Sequence, residues 1–199
     1  MSRLLFLTLI AYTLSACTLS ACTLAPSTPQ PTPLVTEIDP EEYALFSAML
    51  DQNVVGYDPE APVVIRDQTS PHIDNLEFAL EGPHKLPKEL VEAYRSRNDR
   101  PYTLAPNFTL KRGYTLMPQA EYAGLLRTGS TSGEDFQIKY PEARGVFFFS
   151  RAGLNAARDE ALVSISYYCG SLCVEGGVFL MVKEDGVWKF EREFLSWMA

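Results

Sequence analysis

The densest piece of chemistry in this 199-residue chain is Cys169-Gly170-Ser171-Leu172-Cys173, where two thiols lie four positions apart. In an oxidising compartment such a pair most simply closes a disulfide, here across the mouth of a hairpin. A loop this short gains little closure entropy, and a strained, exposed bridge is easily reduced. A redox role is therefore the second reading, weakened because the spacing is not Cys-x-x-Cys. Metal binding is the third: two thiolates need two more soft or imidazole ligands, and the two histidines, His72 and His84, are far away in sequence and not paired.

Other candidates are weaker. Arg66-Asp67-Gln68-Thr69-Ser70 with His72 gathers a carboxylate, hydroxyls and an imidazole at a strand end, where sites often form. The same Asp, Thr, Ser and Pro71 are what a turn needs to satisfy its own amides, and this reading is preferred. Ser150 lacks a Gly-x-Ser-x-Gly context. Glu175, Glu184, Asp185 and Glu191 read as a solvated face rather than an acid/base pair. Gly129-Ser130-Thr131-Ser132-Gly133 has no lysine and no preceding apolar strand, so it is a poor phosphate cradle. No catalytic residue, metal ligand set or cofactor is nominated, and the chain reads as more binding module than enzyme. A net charge of −8 without clustered Lys and Arg argues against nucleic-acid partners.

The strongest address lies at the start. Arg3 precedes an apolar run, Leu4 to Leu14, too short for a membrane span of about 20 residues but right for a signal peptide. The run ends in Leu14-Ser15-Ala16-Cys17, which resembles the lipobox of bacterial lipoproteins. That resemblance implies a signal peptide over 1–16, lipid on Cys17 and a membrane partner through that anchor. Thr18-Leu19-Ser20-Ala21-Cys22 repeats the preceding five residues, so Cys22 is the alternative attachment point. Thr in place of Asp after either cysteine implies the outer membrane, with the protein facing the periplasm. If the Asn107-Phe108-Thr109 sequon sits in a bacterial lipoprotein, it is an expected false positive.

The elements that would position these residues begin after a tether. Residues 17–37 include Ala-Pro-Ser-Thr-Pro-Gln-Pro-Thr-Pro, a composition with little to bury, extending at about 3.1 Å per residue. A single domain then spans 38–199. Asp39, Pro40 and Glu42 have capping-box spacing and predict a helix whose stripe is Tyr43, Phe46, Met49 and Leu50. Val63-Val64-Ile65 reads as a short strand. A second helix spans Leu86 to Arg97 with Leu86, Leu90 and Tyr94 on one face, closed by Asn98 and Asp99. Phe108 to Leu116 suggests one or two strands, Tyr122 to Leu126 a helical turn, and Glu134 to Tyr140 a short helix.

The C-terminal third reads as a meander. Val146-Phe147-Phe148-Phe149 is a buried strand. In Ala161 to Cys169, Val163, Ile165, Tyr167 and Cys169 point one way and Leu162, Ser164, Ser166 and Tyr168 the other, giving one dry and one mostly polar face. Gly170 to Gly177 is read as the reversal, Val178 to Lys183 as the return strand, and Glu184-Asp185-Gly186 as a hairpin turn leading to Trp188, Phe190 and Phe194 on one face. The expected fold is α+β, with N-terminal helices on one side of a curved antiparallel sheet. A small ligand or an envelope protein would be held in the concavity, behind Phe147, Ile165, Tyr167 and Trp188.

Tyr140-Pro141, Gly145, Phe149-Ser150-Arg151-Ala152-Gly153-Leu154-Asn155, Ala161-Leu162-Val163, Cys169-Gly170-Ser171-Leu172-Cys173 and Lys183 with Gly186-Val187-Trp188 resemble a group of uncharacterised bacterial exported proteins and lipoproteins. Ala152, Leu154 and Val174 replace the Val, Phe and Gly usual there. The group brings no activity with it; its order of elements implies, by analogy, a cone-shaped fold of the nuclear-transport-factor-2 (NTF2) or cystatin class.

Overall fold

The computed structural model describes residues 37–56, 58–71, 86–128, 134–170 and 173–198, the backbone alone for 126–128 and 134. The signal segment, Cys17, Cys22, the tether through residue 36, His72, His84 and the 129–133 loop lie outside the described residues. The chain divides into Met1–Thr32 and Pro33–Ala199, and everything below belongs to the second unit.

Helix α1 (Pro40–Asp51) starts as expected, with Asp39 accepting from the Glu41 N–H and Pro40 in the first turn. Tyr43, Phe46, Met49 and Leu50 are all buried. The other elements are β1 (Val63–Arg66), α2 (Lys88–Arg97), β2 (Tyr114–Met117), α3 (Gln119–Thr128), α4 (Glu134–Lys139), β3 (Val146–Phe149), β4 (Gly153–Leu154), β5 (Glu160–Gly170), β6 (Cys173–Glu184) and β7 (Val187–Met198). Only one strand forms between Phe108 and Leu116. Phe108 itself is buried in irregular chain, its ring against Tyr43, Phe46, Tyr114 and Phe149.

The fold is α+β, but the sheet is mixed. Its order is β2-β1-β3-β5-β6-β7, with β4 paired to β5 beyond the end of β3. Strand β1 runs parallel to both β2 and β3, and the pairs from β3 onward are antiparallel. The expectation of a wholly antiparallel sheet therefore holds for the meander alone. Helices between β1 and β3 supply the crossovers that parallel neighbours require.

Helices also cover both faces rather than one. Val63, Ile65, Phe147, Phe149, Val163, Ile165 and Tyr167 form the main core with α1. The alternate residues are also apolar in two places, so they too need cover. Leu162 and Val178 pack under Leu86, Leu90, Val91 and Tyr94 of the α2 region, and Val64, Val146 and Phe148 pack with Phe136, Tyr122 and Leu125. Gly153 lets α2 touch the sheet: a Cβ there would lie 2.6 Å from the Tyr94 Cα.

Two expectations about the meander change. Gly170 pairs with Cys173, and Val174 to Gly177, expected in the reversal, already belong to β6. Gly176 and Gly177 serve close approach instead of a turn, since a Cβ would lie 2.6 Å from the Trp197 ring and 2.6 Å from Leu195 O respectively. Trp188 and Phe190 do not share a face with Phe194. Register shifts between Val178/Phe179 and Leu180/Met181 insert extra residues in β7, turning Phe194 to the α2 side. The Asp185-Gly186 turn forms as read, with φ 51° and 81°.

Candidate functional site

Three places bring chemically capable side chains together. The first is an ionic node around a fully buried carboxylate. The Glu42 carboxylate, expected to cap α1, instead points inward and accepts from Arg151 Nε at 2.8 Å, Arg151 Nη2 at 2.6 Å, Arg97 Nη1 at 3.1 Å and the Ala152 N–H at 2.9 Å. The sequence signal was present: Glu42 lies one turn before Phe46, on the buried stripe itself. Burial pulls the Arg151 pKa down, but the bonds and charge of Glu42 more than reverse this and raise it. The Arg151 guanidinium lies 4.6 Å from the Tyr102 ring centroid. Asn98 grips the backbone of Arg151 like a neighbouring strand, accepting from its N–H at 2.8 Å and donating to its carbonyl at 2.9 Å. The Glu42 charge ties α1 and α2 to the β3–β4 connection.

The second place lies on the opposite face of the sheet, at the carboxyl end of β1. Arg66 is half-buried, with its guanidinium 4.8 Å from the Phe148 ring centroid and 5.8 Å from that of Tyr122. Its Nε donates to Gln68 O at 3.0 Å and its Nη2 to Ser70 Oγ at 2.6 Å. Among the described residues no carboxylate lies within ion-pair distance of it. Burial lowers its pKa, with Tyr122 and Asp67 opposing; a guanidinium nevertheless stays charged.

The same face carries Ser150, Ser164 and Ser166 between the two apolar patches. Ser150 Oγ donates to Arg151 O and accepts from Ser164 N–H. The Tyr94 hydroxyl is buried beside Ser150 without a well-formed hydrogen bond, and burial raises its pKa against the influence of that serine. The mostly polar face expected for β5 is thus a polar strip between two dry patches. The turn reading of 67–70 changes: the side chains satisfy amides of distant segments rather than their own, Asp67 accepting from Gln119 N–H at 2.8 Å and Thr69 Oγ1 from Tyr102 N–H at 2.9 Å, while Gln68 bridges to Thr103.

The third place is a groove of about 620 Å³ along the outer side of α1, bounded by Asn107 to Lys111 and by the start of β7. Ala44 and Ala48 line it, Trp188 borders it, and Lys111 and Lys189 are at its rim. The concavity expected behind Phe147, Ile165, Tyr167 and Trp188 is filled by core packing instead, all four being buried. Beside the groove, Gln52 covers the β7 edge by donating to Trp188 O at 2.9 Å and accepting from Phe190 N–H at 3.0 Å. This occupies the edge groups at the start of β7, where a foreign strand could otherwise pair.

The remaining candidates do not converge. Cys169 and Cys173 sit at disulfide distance, Cα–Cα 5.1 Å, at the closed end of β5–β6. Among the described residues no group of three His, Cys, Asp or Glu side chains stands where it could hold a metal. Glu175 accepts from Gly56 N–H at 3.3 Å, Glu184 pairs with Lys189, and Asp185 and Glu191 are exposed. Compared with known protein families, curated proteins and solved structures, the chain matches none.

Proposed function

We propose that this chain is a lipid-anchored protein of the bacterial envelope, attached through Cys17, or alternatively Cys22, and facing the periplasm from the outer membrane. It acts there as a non-enzymatic binding or interaction module for a small ligand or an envelope protein. The lipobox, the proline-rich tether and the likeness to exported lipoproteins support the address. The observation that supports binding is the groove beside α1, open and largely apolar, with Val187 58% exposed at its edge. Solvent-facing apolar surface of this kind marks recognition sites. An NTF2- or cystatin-like cone is part of the proposal, supported by three long antiparallel strands whose bulged outer member lies against α1.

Photo-crosslinking in intact cells tests the module. A benzophenone side chain at Ala44 or Val187 is expected to give a discrete adduct, and one at Ile138, exposed on the other face, is not. Equal labelling from all three positions, or none, contradicts the groove. Mass spectrometry of the mature N-terminus tests the anchor: diacylglycerol on Cys17 is expected, and an unmodified cleavage site removes it.

The alternative, a thiol-disulfide or metal-handling accessory protein using Cys169 and Cys173, is supported by that pair lying together at a hairpin end. Thiol titration separates the readings. A pair that stays oxidised in mild reductant, with Cys169→Ser merely lowering the Tm, sinks the redox role. A free pair that binds zinc or copper sinks the structural one.

A further inference from the structure

We propose that Arg66 anchors a binding site for a small oxyanion, a carboxylate or phosphate group, on the face of the sheet opposite α1. This stands independently of the groove.

Three observations converge. First, a guanidinium taken partly out of water without a carboxylate gives up hydration that no opposite charge replaces. Ring contacts at 4.8 and 5.8 Å return part of this, and a carbonyl and a hydroxyl carry no full charge. Second, the bonds to Gln68 O and Ser70 Oγ engage Nε and Nη2. Both Nη1 hydrogens and a second Nη2 hydrogen have no acceptor among the described residues, and that end of the fork matches two oxygens of a carboxylate or phosphate. Third, Arg66 ends the middle one of three parallel strands, β2-β1-β3, and the crevice beyond the carboxyl ends of parallel strands is where such sheets bind ligands.

The neighbourhood is compatible with an anion. Asp67, the adjacent carboxylate, is held by the Gln119 N–H at 2.8 Å. Ser70 presents a hydroxyl beside the guanidinium, and the two rings wall it so that an arriving anion meets a partly desolvated cation.

The test uses the full chain in a non-ionic detergent, titrated at constant ionic strength with inorganic phosphate and, separately, with benzoate, chloride serving as control. The readout is the side-chain Nε–H resonance of Arg66. A saturable shift with phosphate alone identifies phosphate monoesters as the source, and one with benzoate alone identifies carboxylates. Arg66→Lys, which keeps the charge and loses the fork, is expected to weaken binding by about tenfold. Arg66→Met is expected to abolish it while leaving the amide spectrum dispersed. The proposal is overturned if neither anion gives a saturable shift in the wild-type chain. Undiminished affinity in folded Arg66→Met, followed through backbone amides, also overturns it.

Discussion

Arg151 and Arg66 are the same residue type, each leaving the sheet near the carboxyl end of a short strand, Arg151 over one aromatic ring and Arg66 over two, yet they meet opposite circumstances. Arg151 is 7% exposed and pairs with a carboxylate that is itself wholly buried. Arg66 lies against Phe148 and Tyr122 with a carbonyl and a hydroxyl as its acceptors. The difference shows where this molecule uses charge for architecture and where it leaves charge available. A satisfied buried pair is costly to break from one side, whereas an unpaired cation can be removed at little structural cost while its stem is kept.

The sharpest way to break the comparison is Glu42→Gln, which leaves Arg151 and Arg97 facing an amide. The expected loss is about 3–5 kcal/mol in urea unfolding; a loss under about 1 kcal/mol would show that the node is not the tie described. Asn98→Ala removes the side chain that holds the Arg151 backbone but leaves the ion pair, so a smaller cost of about 1–3 kcal/mol is expected. Were it to equal Glu42→Gln, the amide grip and not the charge would be the main tie.

Asp39 offers the exposed counterpart. Burial would raise its pKa, but the Glu41 N–H and the Arg158 guanidinium outweigh this and hold it below the ordinary 3.8. A carboxyl depressed in the folded state stabilises above its unfolded pKa, and that contribution is lost as pH falls through the folded value. Asp39→Asn keeps an N-cap and loses the charge, so the mutant should approach the wild type in stability below pH about 3.8 and differ by under about 1 kcal/mol near neutrality. A difference that grows on acidification would reverse the sign. Smallest of all should be Arg66→Met, within about 1 kcal/mol of wild type in chloride, because the methionine retains the stem over Phe148.

Periodicity made much of this legible. The α1 stripe, the Leu86–Tyr94 face, the Val146–Phe149 strand and the Asp185-Gly186 turn all follow from spacing and local φ preferences. The parallel pairing of β1 did not, because a three-residue apolar run reads the same in either direction. The second helical layer was missed for a related reason: Ser164 and Ser166 made one face of β5 look solvated, although Leu162 and Val178 on that face required cover. Local spacing points to Glu42 as a cap, whereas long-range pairing with Arg151 decides its role. Of the Arg66 site, the segment is visible as a polar strand end, but nothing local marks its cation, since the rings of Tyr122 and Phe148 meet it only after folding.

The most direct test is urea unfolding of wild type, Arg151→Met and Arg66→Met side by side, each in chloride and in phosphate or benzoate. Arg151→Met should lose about 3–5 kcal/mol in every buffer, since it leaves the buried Glu42 carboxylate with only Arg97 and the Ala152 N–H. Arg66→Met should match wild type in chloride and fail to gain the stability that the bound anion confers on wild type. If Arg66→Met is as unstable as Arg151→Met, or if the anion stabilises all three proteins equally, the division between a structural and an available arginine is contradicted.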